Sequence, residues 1–158
     1  MTEHYDVLVI GAGPAGLAAA QAAASHGARV GLLDAQARHG GQVWRHDVLH
    51  GTPQPARKAF NLLARTRGHV EWLPRHQVIA ADHQTLLVET PRVSVQLSFG
   101  SMVLATGARE LLLPFPGWTL PGVTGAGGIQ ALAKQGCPVH GKRVFLADSG
   151  PLLLAAAA

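Results

Sequence analysis

Val7-Leu-Val-Ile-Gly-Ala-Gly-Pro-Ala-Gly16 is a short apolar run that opens into spaced glycines, and Leu17-Ala-Ala-Ala-Gln-Ala-Ala-Ala24 continues it. The order reads as strand, tight turn and helix. In a dinucleotide cradle the three glycines do different things. Gly11 turns the chain off the strand, Gly13 lets backbone N–H groups approach a pyrophosphate, and Gly16 lets the helix pack on the strand. Ala12, Pro14 and Ala15 fill out the turn, and the helix N-terminus faces the anion. Beyond the helix, Arg29-Val-Gly-Leu-Leu33 is a second apolar run ending in Asp34. An acid about 20 residues past the glycines is placed to bind ribose hydroxyls. The competing reading is a plain βαβ unit, since glycines after a strand are common in α/β turns.

The chain of 158 residues is long enough for one domain with a core, or for one domain and the start of another. At 47% hydrophobic and 14% charged, its composition is that of a folded protein. The net charge of +4 and pI near 10.0 raise the question of nucleic acid, but the basic residues are scattered and form no stripe with aromatics between them. No nucleic-acid partner is expected. A single cysteine, Cys137, excludes an internal disulfide and fits a reducing compartment, so the expected location is cytoplasmic. Glu3 and Asp6 precede the first apolar run and no Lys or Arg occurs before Arg29, which argues against a signal peptide. No membrane span is expected either.

In chain order, a first helix is predicted from Pro14 to His26 with Gly27 as its stop. The segment Ala35 to Arg45 is a loop in which Gly40-Gly41 permits close backbone approach to a ligand, while Gln42 and Trp44 offer an amide and a stacking surface. A mobile surface loop with one buried Trp is the equal alternative. His46-Asp-Val-Leu-His50 imitates a zinc-binding helix but runs straight into Gly51-Thr-Pro-Gln-Pro55, so no metal is expected. Thr52 is placed to cap a second helix starting at Pro53, with Ala56, Ala59, Phe60 and Leu63 on one face and Gly68 as terminator. Val70–Leu73 then reads as a third strand. Residues Gln77–Ala81, Thr85–Glu89 and Val93–Phe99 read as an antiparallel meander. Gly100 is expected to break it, and Ser101–Ala105 to resume as a buried strand ending in the turn Thr106-Gly107. From Glu110 to Gly128 the chain is rich in Pro and Gly, a linker between domains. A short helix at Ile129–Lys134, a strand at Lys142–Ala147 and a second, imperfect glycine turn at Asp148-Ser-Gly-Pro-Leu152 follow.

The motifs Gly11–Gly16, Asp34, Gly40-Gly-Gln-Val-Trp-Arg45, Leu104-Ala-Thr-Gly-Ala-Arg109 and Leu120–Leu132 together resemble the FAD-dependent pyridine nucleotide-disulfide oxidoreductase superfamily. Within it the chain is most similar to the flavoprotein subunits of opine oxidase, hydrogen cyanide synthase and hydroxyproline dehydrogenase. The resemblance covers nearly all of this chain but only the N-terminal third or so of such a protein. It implies a Rossmann-like α/β FAD-binding domain, a parallel sheet with helices and an antiparallel β-meander insertion, truncated at the start of a second Rossmann-like domain. Residues 1–110 would be the first half of the FAD domain, 111–128 the crossover linker, and 129–158 the incomplete start of an NAD(P)-type domain.

The resemblance also implies site residues. Gly11, Ala12, Gly13, Pro14, Ala15 and Gly16 would hold the FAD pyrophosphate, and Asp34 the adenosine ribose. Gly41 and Gln42 would lie toward the ribityl or isoalloxazine end, Val78 beside adenine through its backbone, and Ala105, Thr106 and Gly107 beside the cofactor. It implies FAD as cofactor, a small amino-acid-like substrate and, for partner, a second oxidoreductase subunit. No catalytic side chain is named. Two departures stand out: Asp148 replaces the first glycine of the second nucleotide turn, which argues against NAD(P), and Cys137-Pro-Val-His140 is at best half of a redox Cys-x-x-Cys. The alternatives are a non-catalytic fragment with weak nucleotide binding, a thioredoxin reductase-like NAD(P)H-flavin oxidoreductase lacking the redox cysteines, and a stand-alone NAD-type module.

Overall fold

The computed structural model describes residues 2–44, 51–66, 68–147 and 150. They divide into two compact units: the described residues up to 44 and from 52 to 107 form the first, and Gly51 with those from 108 onward the second.

In the first unit, strand β1 (Glu3–Ile10) leads through the glycine turn into helix α1 (Pro14–Ser25) and strand β2 (Val30–Asp34). Helix α2 (Gln54–Arg65) and strand β3 (Val70–Pro74) follow. Then come β4 (Gln77–Asp82), β5 (Thr85–Glu89) and β6 (Ser94–Leu104). The six strands form one sheet in the order β3-β2-β1-β6-β5-β4. β3, β2, β1 and the far half of β6 run parallel, whereas β4, β5 and the near half of β6 form the antiparallel meander.

The apolar residues on the two faces of the sheet form two cores. Val9, Leu32 and Val30 pack with Leu17, Ala20 and Ala24 of α1, whose spacing places them on one helical face. Alanine side chains let this helix lie close to the strands. The other core joins Tyr5, Leu8, Leu33 and Leu73 to Leu86, Val88, Leu97 and Phe99 of the meander. α2 turns Ala56, Ala59, Phe60 and Leu63 inward, as its pattern predicts.

Several expectations need correction. Gly100 does not break the chain: β6 runs unbroken through it from Ser94 to Leu104. A Cβ at Gly100 would lie 3.1 Å from the Asp6 carbonyl oxygen, so this glycine marks a close approach to β1. Nor is the segment after it buried. Met102 and Leu104 are exposed, and among the described residues β5 pairs β6 only at Ser94–Ser98. Thr52 does not cap α2; the N-cap is Pro53, with no side-chain cap. Pro53 and Pro55 lack N–H groups, so fewer donors need one. The helix ends at Arg65 with Thr66 as its cap, before Gly68, and the Thr66 carbonyl then accepts the N–H groups of His69 and Val70.

At the N-terminal ends of the strands, charged side chains tie the sheet together. Arg29 bonds Glu3 at 2.7 Å and lies 4.9 Å from the Tyr5 ring centroid. The Tyr5 hydroxyl donates to Glu71 at 2.9 Å. Burial first, and then that hydrogen bond to a carboxylate, push the Tyr5 phenol well above its ordinary pKa.

The second unit contains helix α3 (Ala126–Lys134), which starts three residues earlier than the pattern suggests and stops at Gln135 and Gly136. Residues Lys142–Ala147 carry no strand. No described strand pairs with this segment, so its backbone groups have no ladder. The His46–His50 pattern and the Asp148 turn lie outside the described residues. No described helix is long and apolar enough to cross a membrane.

Candidate functional site: the carboxyl end of the parallel strands

β1 and β6 are neighbours in space but distant in sequence, so the chain's strand order changes direction between them. Open α/β sheets bind ligands at such a point, outside the carboxyl ends of the strands. Two glycine-bearing turns meet there.

Gly11 leaves β1 at φ +100°, a conformation that side chains rarely adopt. Its N–H donates to the Leu33 carbonyl at 2.8 Å, and a Cβ on it would collide with the Ala105 carbonyl. The Ala105 N–H in turn donates to the Ile10 carbonyl at 2.8 Å, which fixes the end of β6 beside the turn. Gly16 is required by packing: a Cβ there would fall on the Gly11 carbonyl. Gly13 is different. Its backbone is extended, φ −73° and ψ −175°, and a Cβ would meet only the Gly41 Cα, at 3.9 Å. Neither strain nor crowding within the chain explains its lack of a side chain.

Gly13 is the N-cap of α1, Pro14 occupies the first turn, and no side chain caps the helix. The first-turn N–H groups have no intrahelical partners, and the macrodipole adds positive potential at that end. Gly40 and Gly41, at φ +116° and +57°, bring the following loop over this turn. The Gly40 N–H donates to the Ala12 carbonyl at 2.7 Å, and a Cβ on Gly41 would lie 2.9 Å from the Gly13 Cα. Two backbones without side chains thus face each other, with Gln42 exposed just beyond.

Asp34 ends β2, and its carboxylate is held by two backbone donors: Ala12 N–H at 2.7 Å to Oδ2 and Gln36 N–H at 2.8 Å to Oδ1. Each oxygen keeps a lone pair for a hydroxyl donor. The Asp34 carbonyl accepts the His76 N–H at 2.9 Å, so the chain entering β4, and with it Val78, starts from this turn. Val78 pairs with Val88, and its side chain packs on the meander core. Thr106 and Gly107 are exposed past the end of β6, with Gly107 at φ +73° and no atom near its missing Cβ.

Sequence reasoning missed what holds the Gly40-Gly41 loop down. His39 stacks on Phe60 at 4.1 Å and faces Trp72 at 5.7 Å, and Trp44 meets Phe60 edge-on at 6.3 Å. Phe60 was legible as an inward residue of α2, but nothing in the sequence links it to the loop. Trp44 is therefore a packing residue of this clamp, half-buried against the α1 side of the sheet.

Backbone donors without side chains, an open helix N-terminus and a prepositioned carboxylate form a set that fits a dinucleotide: anion at Gly13, ribose hydroxyls at Asp34. Comparison with known proteins agrees. Residues 5–144 match the family model described as pyridine nucleotide-disulphide oxidoreductase. The A subunit of opine oxidase from Agrobacterium tumefaciens (strain Ach5) is 38% identical over 97% of this chain and 34% of its own length. The HcnB subunit of hydrogen cyanide synthase from Pseudomonas protegens is 34% identical over 92% of this chain and 34% of its own. The chain thus spans about a third of the length of these curated relatives. Among solved structures, thioredoxin reductase from Streptococcus pyogenes is 29% identical with a TM-score of 0.53, over 72% of this chain and 38% of that one. On the match of its sequence and of its Rossmann-like fold, the chain belongs to the FAD-dependent pyridine nucleotide-disulphide oxidoreductase family.

Proposed function

We propose that this chain is the FAD-binding part of an oxidoreductase that oxidises an amine or amino-acid-type substrate, opine-, hydroxyproline- or glycine-like, as one subunit of a multi-subunit flavoenzyme. The observation that carries the FAD reading is Gly13, a glycine that nothing inside the chain requires, at an open helix N-terminus. The similarity to the A subunit of opine oxidase along 97% of the chain supports the substrate class and the multi-subunit reading.

In this reading Gly11, Ala12, Gly13, Pro14, Ala15 and Gly16 hold the pyrophosphate, and Asp34 accepts hydrogen bonds from the adenosine ribose. Val78 flanks adenine through its backbone. Gly41 and Gln42 lie toward the ribityl or flavin end, with Ala105, Thr106 and Gly107 alongside. FAD, when bound, supplies the two-electron redox chemistry. The chain's own residues bind and orient it, and none in the turn carries a proton-transfer role. We assign residues 1–110 to the first half of the FAD domain, 111–128 to the crossover and 129–158 to the start of an NAD(P)-type domain. The edge of β6 past Phe99 is where a further strand of the FAD domain would add. A second oxidoreductase subunit is the proposed partner, and the single cysteine fits a cytoplasmic location.

The test is a visible absorption spectrum after incubation with FAD and removal of excess, followed by anaerobic addition of candidate amino acids and opines. A protein-bound flavin spectrum that bleaches with one of them supports the whole reading. Bound flavin that no such substrate bleaches supports FAD binding without the substrate class. No retained flavin, with a melting temperature raised by NAD and unmoved by FAD, overturns it.

A further inference from the structure

α3 begins at Ala126 on the N-cap Gly125, which has no side chain of its own to cap it, and no acid lies in its first turn. Its sequence there, Gly125-Ala-Gly-Gly128, has the look of another phosphate-binding turn. The turn is filled from within the chain. The Glu110 carboxylate accepts the Gly127 N–H at 2.9 Å through Oε1 and the Gly128 N–H at 3.2 Å through Oε2. A Cβ on Gly125 would collide with that carboxylate, and one on Gly127 would lie 3.4 Å from Oε2. The glycines are thus shaped around a carboxylate that arrives from 15 to 18 residues upstream.

We infer that Glu110 is an internal anion that clasps the N-terminus of α3 and closes residues 111–124 into a loop of fixed ends. The physical basis is the one that draws phosphate to helix N-termini: unpaired first-turn N–H groups aligned with the macrodipole, here bonded to an ionised acceptor. The clasp gives α3 a structural role, not a ligand-binding one.

Amide hydrogen exchange and proton shifts, read by NMR on the full chain, test it. In Glu110→Ala the Gly127 and Gly128 amides should exchange about fivefold faster or more, the size of a lost helix cap. They should also move upfield, while amides of β1 to β6 stay unchanged. Glu110→Gln, with one acceptor oxygen in place of two, should fall between. Added acetate should shift the two resonances back in Glu110→Ala and leave those of the wild type still. Unchanged exchange at both glycines in both variants would overturn the inference, and so would an equal response to acetate in variant and wild type. Should Glu110→Ala fail to fold, Glu110→Gln decides alone by the same reading.

Discussion

Helices α1 and α3 start alike: each follows a glycine with extended backbone, Gly13 at φ −73° and Gly125 at φ −67°, and neither has an acid in its first turn. At α3 the space left by the glycines holds the Glu110 carboxylate. At α1 the space before Gly13 has only the Cα of Gly41 at its margin. Two similar glycine-rich helix starts are therefore filled differently. A glycine-rich helix start marks a ligand only where no side chain of the chain already satisfies it, and that is a matter of tertiary structure.

The same methyl group placed at two glycines of the α1 turn should act in two different ways. Gly11→Ala strains a positive φ and drives a Cβ into Ala105, so it should cost about 3 kcal/mol or more of stability, read by thermal melting, and abolish FAD retention. Gly13→Ala should melt within a few degrees of the wild type, because its Cβ fits. Its FAD affinity should nonetheless fall by about tenfold or more, about 1.4 kcal/mol, through the lost close approach. An affinity equal to wild type would remove Gly13 from the site. Asp34→Ala should weaken FAD by roughly tenfold, the value of hydrogen bonds to a charged acceptor, and should also free the Ala12 N–H, visible in its exchange rate. Glu110→Ala should change FAD affinity by less than about twofold, since its clasp lies on another helix.

The smallest effect at neutral pH lies at the N-terminal ends of the strands, which side chains close. Tyr5 is the one tyrosine of the chain, so a spectrophotometric titration reads it alone. Burial and the Glu71 hydrogen bond raise its pKa in the folded state. Its contribution to stability is therefore complete below about pH 10, the unfolded value, and declines as pH rises past it. The phenolate band should appear only as the fold is lost. Tyr5→Phe should remove this alkaline dependence and leave FAD binding as it was.

Much of the architecture was legible because it rests on periodicity and turn chemistry. The run Val7–Ile10, the glycines, the alanine helix and Asp34 fix a βαβ start, and the close spacing of the three runs after Gln77 leaves no room for helices. What was not legible depends on neighbours. Gly100 looks like a breaker from its own residue type but is an allowance for the Asp6 backbone on the adjacent strand. Lys142–Ala147 has a strand's composition and no described partner to make it one. Thr52 has a capping side chain, yet the prolines after it remove the donors. Within the site, Gly11 and Gly16 could be read from spacing, whereas the His39, Phe60, Trp72 and Trp44 clamp joins residues up to 33 positions apart. Glu110 gave no sign in the sequence, because a glutamate before a proline-rich segment is ordinarily solvated.

An amide chemical-shift map of the chain titrated with FAD, with ADP as the smaller probe, tests most directly whether the α1 turn is the cofactor site. The largest changes should fall at Gly11–Leu17 and Gly40–Gln42, with a change at the Ala12 amide beside Asp34 and none at Gly127 and Gly128. Changes centred on Gly125–Ile129, or no change at Ala12, Gly13 and Gly41, would contradict this placement.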